Sequence, residues 1–122
     1  MDFDLSEEQL AFREVARSFA MERMAPEAAA WDEEGIFPVE VLRQAAGLGF
    51  AGLYCDPAHG GTGLGRLDAA VVLEELAAAC PSTAAYISIH NMAAWMIDSF
   101  GDADQRGRWL PGLIEGEKVY AV

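Results

Sequence analysis

An all-α fold is what this sequence predicts: an antiparallel bundle of about five helices, followed by a short terminal β-strand segment. Three observations carry that expectation. Apolar residues recur at three- and four-residue spacing in successive runs, and each run is bracketed by proline, glycine or a capping side chain. The third is the stretch Ser82–Phe100, STAAYISIHNMAAWMIDSF, which carries no formal charge from Ser82 to Ile97 with His90 neutral. A helix apolar on nearly every side is expected to be buried on nearly every side. Its central Ser88, His90 and Asn91 then need partners, because an unpaired buried polar group costs about 1–3 kcal/mol. Those residues and Asp98 leave the segment too short and too wet to cross about 30 Å of hydrocarbon.

Ser6 and Gln9 form an S-x-x-Q capping box with Leu5 and Leu10 at staple positions, so the first helix begins at Glu7. Phe12, Val15, Ala16, Phe19 and Ala20 give it an apolar face as far as about Met24. Pro26 interrupts it, leaving Glu27 to Asp32 room for a further turn or two. Pro38 suits the first turn of a second helix, with Val41, Leu42, Ala45 and Leu48 inward and Gly47 and Gly49 at its end. From Phe50 to Arg66 the chain reads as a loop, and so long a loop in a small domain points to function.

Asp68 is expected to cap a third helix, whose Ala69, Val72, Leu73, Leu76 and Ala77 face inward until Pro81 closes it. Ser82 or Thr83 then caps the uncharged fourth helix, which Gly101 ends. Asp102 caps a fifth, interrupted at Pro111 and finished by about Gly116. Short connections between such segments favour antiparallel neighbours. Val119 to Val122 has the β-branched and aromatic character of a strand, with no partner strand left in the chain.

Twenty acidic residues against eight basic ones give a net charge of −12, which repels phosphate backbones and anionic bilayers. Neither nucleic acid nor a membrane is an expected partner. Cys55 and Cys80 are far apart and lack CxxC spacing, so reduced thiols in a cytoplasmic protein are expected rather than a disulfide scaffold or a zinc site. The opening MDFDLSEEQ is acidic where signal and transit peptides are basic, which also points to the cytoplasm.

Gly60, Gly61, Gly63 and Gly65 invite comparison with nucleotide loops, but the spacing is not G-x-G-x-x-G and no Lys-Ser or Lys-Thr follows. A tight turn against neighbouring helices is the expectation. Cys55, His59, Cys80 and His90 match no metal-ligand spacing, so no metal is expected. His90 is expected to be a hydrogen-bonded core histidine, and Ser88 lacks the G-x-S-x-G setting of a nucleophile. Ala84, Ile87, Ser88, Asn91 and Trp95 share one helical face, small at its start and bulky further on. Such a face suits core packing, or a slot whose narrowing limits the length of a ligand's carbon tail.

LSEEQ from Leu5 to Gln9, GLYCDPAHGGTGLGRLD from Gly52 to Asp68 and STAAYISIHNMAAWMIDSFGDADQR from Ser82 to Arg106 together resemble the N-terminal helical domain of flavin-dependent acyl-CoA dehydrogenases. The last run looks closest to those acting on isobutyryl-CoA, a short branched thioester. The resemblance implies an enzyme of three parts: this helical domain over residues 1–117, a middle β-domain starting at residues 118–122, and a C-terminal helical bundle, assembled as a homotetramer. It implies FAD as hydride acceptor, a carboxylate base, an acyl-CoA substrate oxidised to the enoyl-CoA, and an electron-transfer flavoprotein as partner.

No catalytic or FAD-binding motif residue of the family maps onto positions 1–122, so the chain alone is expected to hold no FAD and to be inactive. What the resemblance does place here is the wall against the acyl tail, at Ala84, Ile87, Ser88 and Met92, with the Tyr54 to Leu64 loop as scaffold. The alternative is a stand-alone helical binding or assembly module that keeps the fold without the chemistry.

Overall fold

The Ser6 hydroxyl accepts the Gln9 amide at 3.1 Å and the Gln9 side-chain oxygen accepts the Ser6 amide at 3.0 Å, so helix α1 (Glu7–Phe19) opens at the expected capping box. A computed structural model describes residues 2–119 of the chain. Ala16, Phe19 and Ala20 are buried, whereas Val15, expected on the same face, is 47% exposed. One residue back from Ala16 is about 100° round the helix, which carries Val15 off the stripe. A π-helical turn, Ala20–Met24, extends α1, with the Ala25 amide donating to the Ala20 carbonyl at 2.8 Å. Pro26, with no N–H to give, ends the run.

The further turn anticipated after Pro26 is a helix in its own right, α2 (Ala28–Glu34), so the described residues hold six α-helices where about five were expected. Helix α3 (Val39–Gly47) starts just after Pro38 and buries Leu42, Ala45 and Ala46. Leu48, expected inward, lies past the helix end and is 45% exposed.

Helix α4 (Arg66–Ala79) begins earlier than expected, with Gly65 at the capping position. Asp68 caps it from inside the first turn: one carboxylate oxygen accepts the Gly65 amide at 3.0 Å. Its other oxygen accepts from Gln9 Nε2 at 2.8 Å, which ties the starts of α1 and α4 together. Helix α5 (Pro81–Phe100) starts on Pro81 itself, because a proline at the first helical position gives up no helical bond. Cys80, in extended backbone, alone separates α4 from α5.

Asp102 and Gln105 form the second reciprocal box, at 2.8 and 2.9 Å, and open α6 (Ala103–Ile114). Pro111 does not interrupt this helix as expected. Leu110, Leu113 and Ile114 on either side of it are buried, and their packing outweighs the roughly 3 kcal/mol an internal proline costs.

Helices adjacent in sequence pack side by side from α4 to α6, and α1 closes the layer against α4. The main core gathers Ala16, Phe19, Met24, Leu42, Leu53, Val72, Leu76 and Ile87; a smaller cluster joins Cys55 and Ala94 to Leu110, Leu113 and Ile114. Among the described residues there is no strand. The expected terminal strand falls largely on residues 120–122, outside the described residues, and Val119 itself has no regular structure. No described helix is long and apolar enough to cross a membrane.

Candidate functional site: the central helix and its loop

Helix α5 turns Thr83, Ala84, Ile87, His90, Asn91 and Ala94 into the protein. Its other side is not covered: Met92 is 41% exposed, Met96 49% and Phe100 76%. The expectation of burial on nearly every side is therefore corrected within this chain, since the packing of α4 and α6 covers only one flank. The four residues expected to wall an acyl tail divide accordingly. Ala84 and Ile87 are buried, with Ile87 and Ala84 in the main core, Ser88 is half-buried at the boundary, and Met92 stands on the open side.

Asn91 is a clasp. Fully buried, its Oδ1 accepts the Leu53 amide at 2.7 Å, while Nδ2 donates to the carbonyls of Phe50 at 2.7 Å and Ile87 at 2.8 Å. The loop is thereby pinned to α5 along its buried residues Phe50, Ala51, Leu53 and Cys55. The glycine stretch beyond it is equally committed. The amides of residues 60–65 donate in turn to Pro57, Asp56, Gly52, Cys55 and Leu53 carbonyls and to the Asp68 carboxylate. A Cβ on Gly61 would sit 2.2 Å from the Cys55 carbonyl oxygen, so that glycine is required by close backbone approach. With its donors used internally, the loop offers no cradle for the pyrophosphate of a dinucleotide such as FAD. It is the tight scaffold turn expected, closed by the short 3₁₀ turn Pro57–His59.

His90 Nε2 donates to the Leu113 carbonyl at 2.9 Å, which fastens α5 to α6. The core-histidine reading is thus the one the geometry supports. Burial pushes the Cys55 thiol up to about 12, with Asp98 adding to the shift, so it is a neutral core group rather than a nucleophile. Among the described residues no cluster of His, Cys, Asp or Glu could hold a metal ion.

One arrangement was not legible in the sequence. The Arg66 guanidinium lies 3.8 Å from the Tyr54 ring centroid and 4.7 Å from that of Trp95, and Trp95 meets Phe100 edge to face at 5.7 Å. This stack joins the loop, the start of α4 and the open side of α5. A signal existed: a cation in the first turn of a helix works against the helix dipole and needs another reason to be there.

The sequence profile described as "Acyl-CoA dehydrogenase, N-terminal domain" matches residues 6–117. The chain is 52% identical over 114 residues to mitochondrial isobutyryl-CoA dehydrogenase of Bos taurus, covering 93% of this chain and 27% of that protein. It is 50% identical over 115 residues to the Dictyostelium discoideum enzyme of the same name, covering 94% of this chain and 28% of that protein. Among solved structures, butyryl-CoA dehydrogenase from Megasphaera elsdenii superposes with a TM-score of 0.86 at 31% identity, over 98% of this chain and 32% of that one. The chain thus spans less than a third of the length of these relatives. On the helical order, the self-satisfied loop and a profile that matches nearly its whole length, the chain belongs to the acyl-CoA dehydrogenase family as its N-terminal domain.

Proposed function

We propose that this domain serves an FAD-dependent acyl-CoA dehydrogenase that oxidises a short branched acyl-CoA, of the isobutyryl-CoA kind, to the enoyl-CoA. The observation that carries the reading is the open side of α5: an apolar face from Met92 to Phe100 on a chain of net charge −12. Exposed apolar surface of that kind marks a contact with something else. Ser88 and Met92 border the acyl tail directly, while Ala84 and Ile87 fix the position of the helix behind them. The tail's carbons gain about 0.8 kcal/mol per buried methylene, so the depth of this wall selects for a short chain.

FAD, held by the remainder of the enzyme, supplies the hydride acceptor. This chain's residues contribute shape and exclusion of water. Acyl-CoA is the substrate, an electron-transfer flavoprotein takes the electrons, residues 118–122 lead into a middle β-domain, and the complete enzyme is a homotetramer. A cytoplasmic setting is supported by two free, buried cysteines.

Steady-state assays of the complete gene product with isobutyryl-CoA, n-butyryl-CoA and octanoyl-CoA, using an artificial electron acceptor, test this reading. Isobutyryl-CoA is expected to give the highest kcat/KM. Turnover by residues 1–122 alone, or preference for octanoyl-CoA, would overturn it.

A further inference from the structure

Three tryptophans lie in this chain, and two of them carry at least one of its own cations on the ring. Trp95 has Arg66 at 4.7 Å, and Trp109 has Arg108 at 5.0 Å and Lys118 at 4.8 Å. Trp31 has none among the described residues. It borders instead a cleft of about 220 Å³ between α2, the turn that follows it and the start of α5. Phe37 and Tyr86 form two more aromatic sides, packed edge to face with centroids 4.8 Å apart. Phe37 is 51% exposed, so its ring is reachable from solvent. Asp32 stands at the rim, exposed and with no ion-pair partner among the described residues. No Lys or Arg lines the cleft.

We propose that this cleft is a binding site for a small organic cation of the quaternary ammonium class. Three aromatic side chains border it, Phe37 the most exposed of them; aromatic rings attract a cation with a diffuse, weakly hydrated charge, and a carboxylate at the mouth adds the opposite charge. The volume exceeds the roughly 30 Å³ of one water and falls below the roughly 300 Å³ where drug-sized pockets begin, which suits a head group rather than a large ligand. Ser82 and Thr83, at the positive end of α5, line the opposite wall. The ammonium therefore lies toward Asp32, Trp31 and Phe37. The walls are held in place from behind. The Ile36 amide donates to the Trp31 carbonyl at 2.9 Å, Gly35 turns with a φ of 65°, and Thr83 Oγ1 bonds Cys80 Sγ at 3.1 Å.

Calorimetric titration of the complete gene product with choline, and with its neutral isostere 3,3-dimethyl-1-butanol, separates charge recognition from simple apolar filling. Choline is expected to bind saturably and the isostere about tenfold more weakly. Phe37→Leu keeps the bulk and loses the ring, Asp32→Asn loses the charge, and each is expected to weaken choline about three- to thirtyfold with acyl-CoA turnover unchanged. A parallel titration with a trimethyl-lysine peptide tells a protein-borne head group from a free one. Equal affinity for choline and the isostere, no saturable heat with any of these cations, or folded variants that bind choline like the parent would overturn the proposal.

Discussion

The side chain of Asn91 accepts the amide of Leu53 at 2.7 Å across 38 residues of sequence, and the same side chain returns a bond to Phe50 at 2.7 Å. One residue in the middle of α5 therefore performs for the loop what a neighbouring strand performs in a sheet: it takes an amide and gives to a carbonyl that have no other place to go.

Replacing Asn91 by Leu leaves the buried Leu53 amide and Phe50 carbonyl unpaired. At about 1–3 kcal/mol for each of the two buried groups left unsatisfied, the loss expected is about 2–6 kcal/mol in a urea melt. A change below about 1 kcal/mol would show that water replaces the clasp.

Gly61 and Gly35 are required for different reasons, and alanine separates them. At Gly61 the new Cβ meets the Cys55 carbonyl at 2.2 Å, so the loop backbone has to move and Gly61→Ala is expected to cost about 3 kcal/mol or more. Gly35 has open space around it and only a left-handed φ of 65°, so Gly35→Ala is expected to cost about 1 kcal/mol. Thermal melts of the two variants should rank in that order.

Cys55 makes stability fall on the alkaline side. Its folded-state value of about 12 lies well above the ordinary thiol value of 9.0, chiefly through burial, so the unfolded chain loses this proton first as pH rises. The contribution is complete below about pH 9 and is lost as pH climbs toward 12. Stability profiles of the parent and of Cys55→Ala should converge over that window. A thiol reagent at pH 8 should also leave Cys55 unmodified until denaturant is added; rapid labelling of the native protein would contradict its burial.

Glu75 does the opposite on the acid side. Arg17 grips its carboxylate at 2.9 and 3.0 Å and Arg13 lies at 3.5 Å, and the hydrogen bonds from Arg17 hold its pKa below the usual range. The stabilisation it gives is present above the ordinary carboxylate value and is lost as pH falls through the lowered one. Glu75→Gln should flatten the acid limb of the stability profile and reduce its sensitivity to salt, since Arg17 is on the surface. An unchanged acid limb would mean the pair is solvated away.

The helix starts at Ser6 and Asp102 were legible because capping is chemistry within four residues: the Ser6–Gln9 box and the Asp102 cap stand as read, and Gln105 completes a second box at Asp102. Asp68 was placed on the right helix but in the wrong cap position, and Pro81, expected to close α4, instead opens α5, because a carboxylate can reach back from the third residue and a proline can open a helix as well as close one. The continuation of α6 through Pro111 depends on what Leu110 and Leu113 pack against, which no local pattern reports. For α5 the difficulty is composition: a run of Ala, Ile and Met has no polar face to mark the side that faces out. The need for partners at His90 and Asn91 was legible from their setting, but Leu113 and the Phe50–Leu53 loop as those partners were not.

Ile87 and Met92 lie five residues apart on one helix and are expected to behave as a core residue and a site residue. Ile87 is 4% exposed within the main cluster, and Ile87→Ala should cost about 2–5 kcal/mol of stability wherever the chain folds. Met92 is 41% exposed, and Met92→Ala should leave the domain's stability within about 0.5 kcal/mol. In the complete enzyme, shortening Met92 deepens the slot. The kcat/KM ratio of a chain one methylene longer to isobutyryl-CoA should then rise about tenfold, the discrimination a single methylene supports. Loss of turnover in parallel for all acyl-CoA substrates, with no change in their ratio, would move Met92 from the tail wall to a contact between domains.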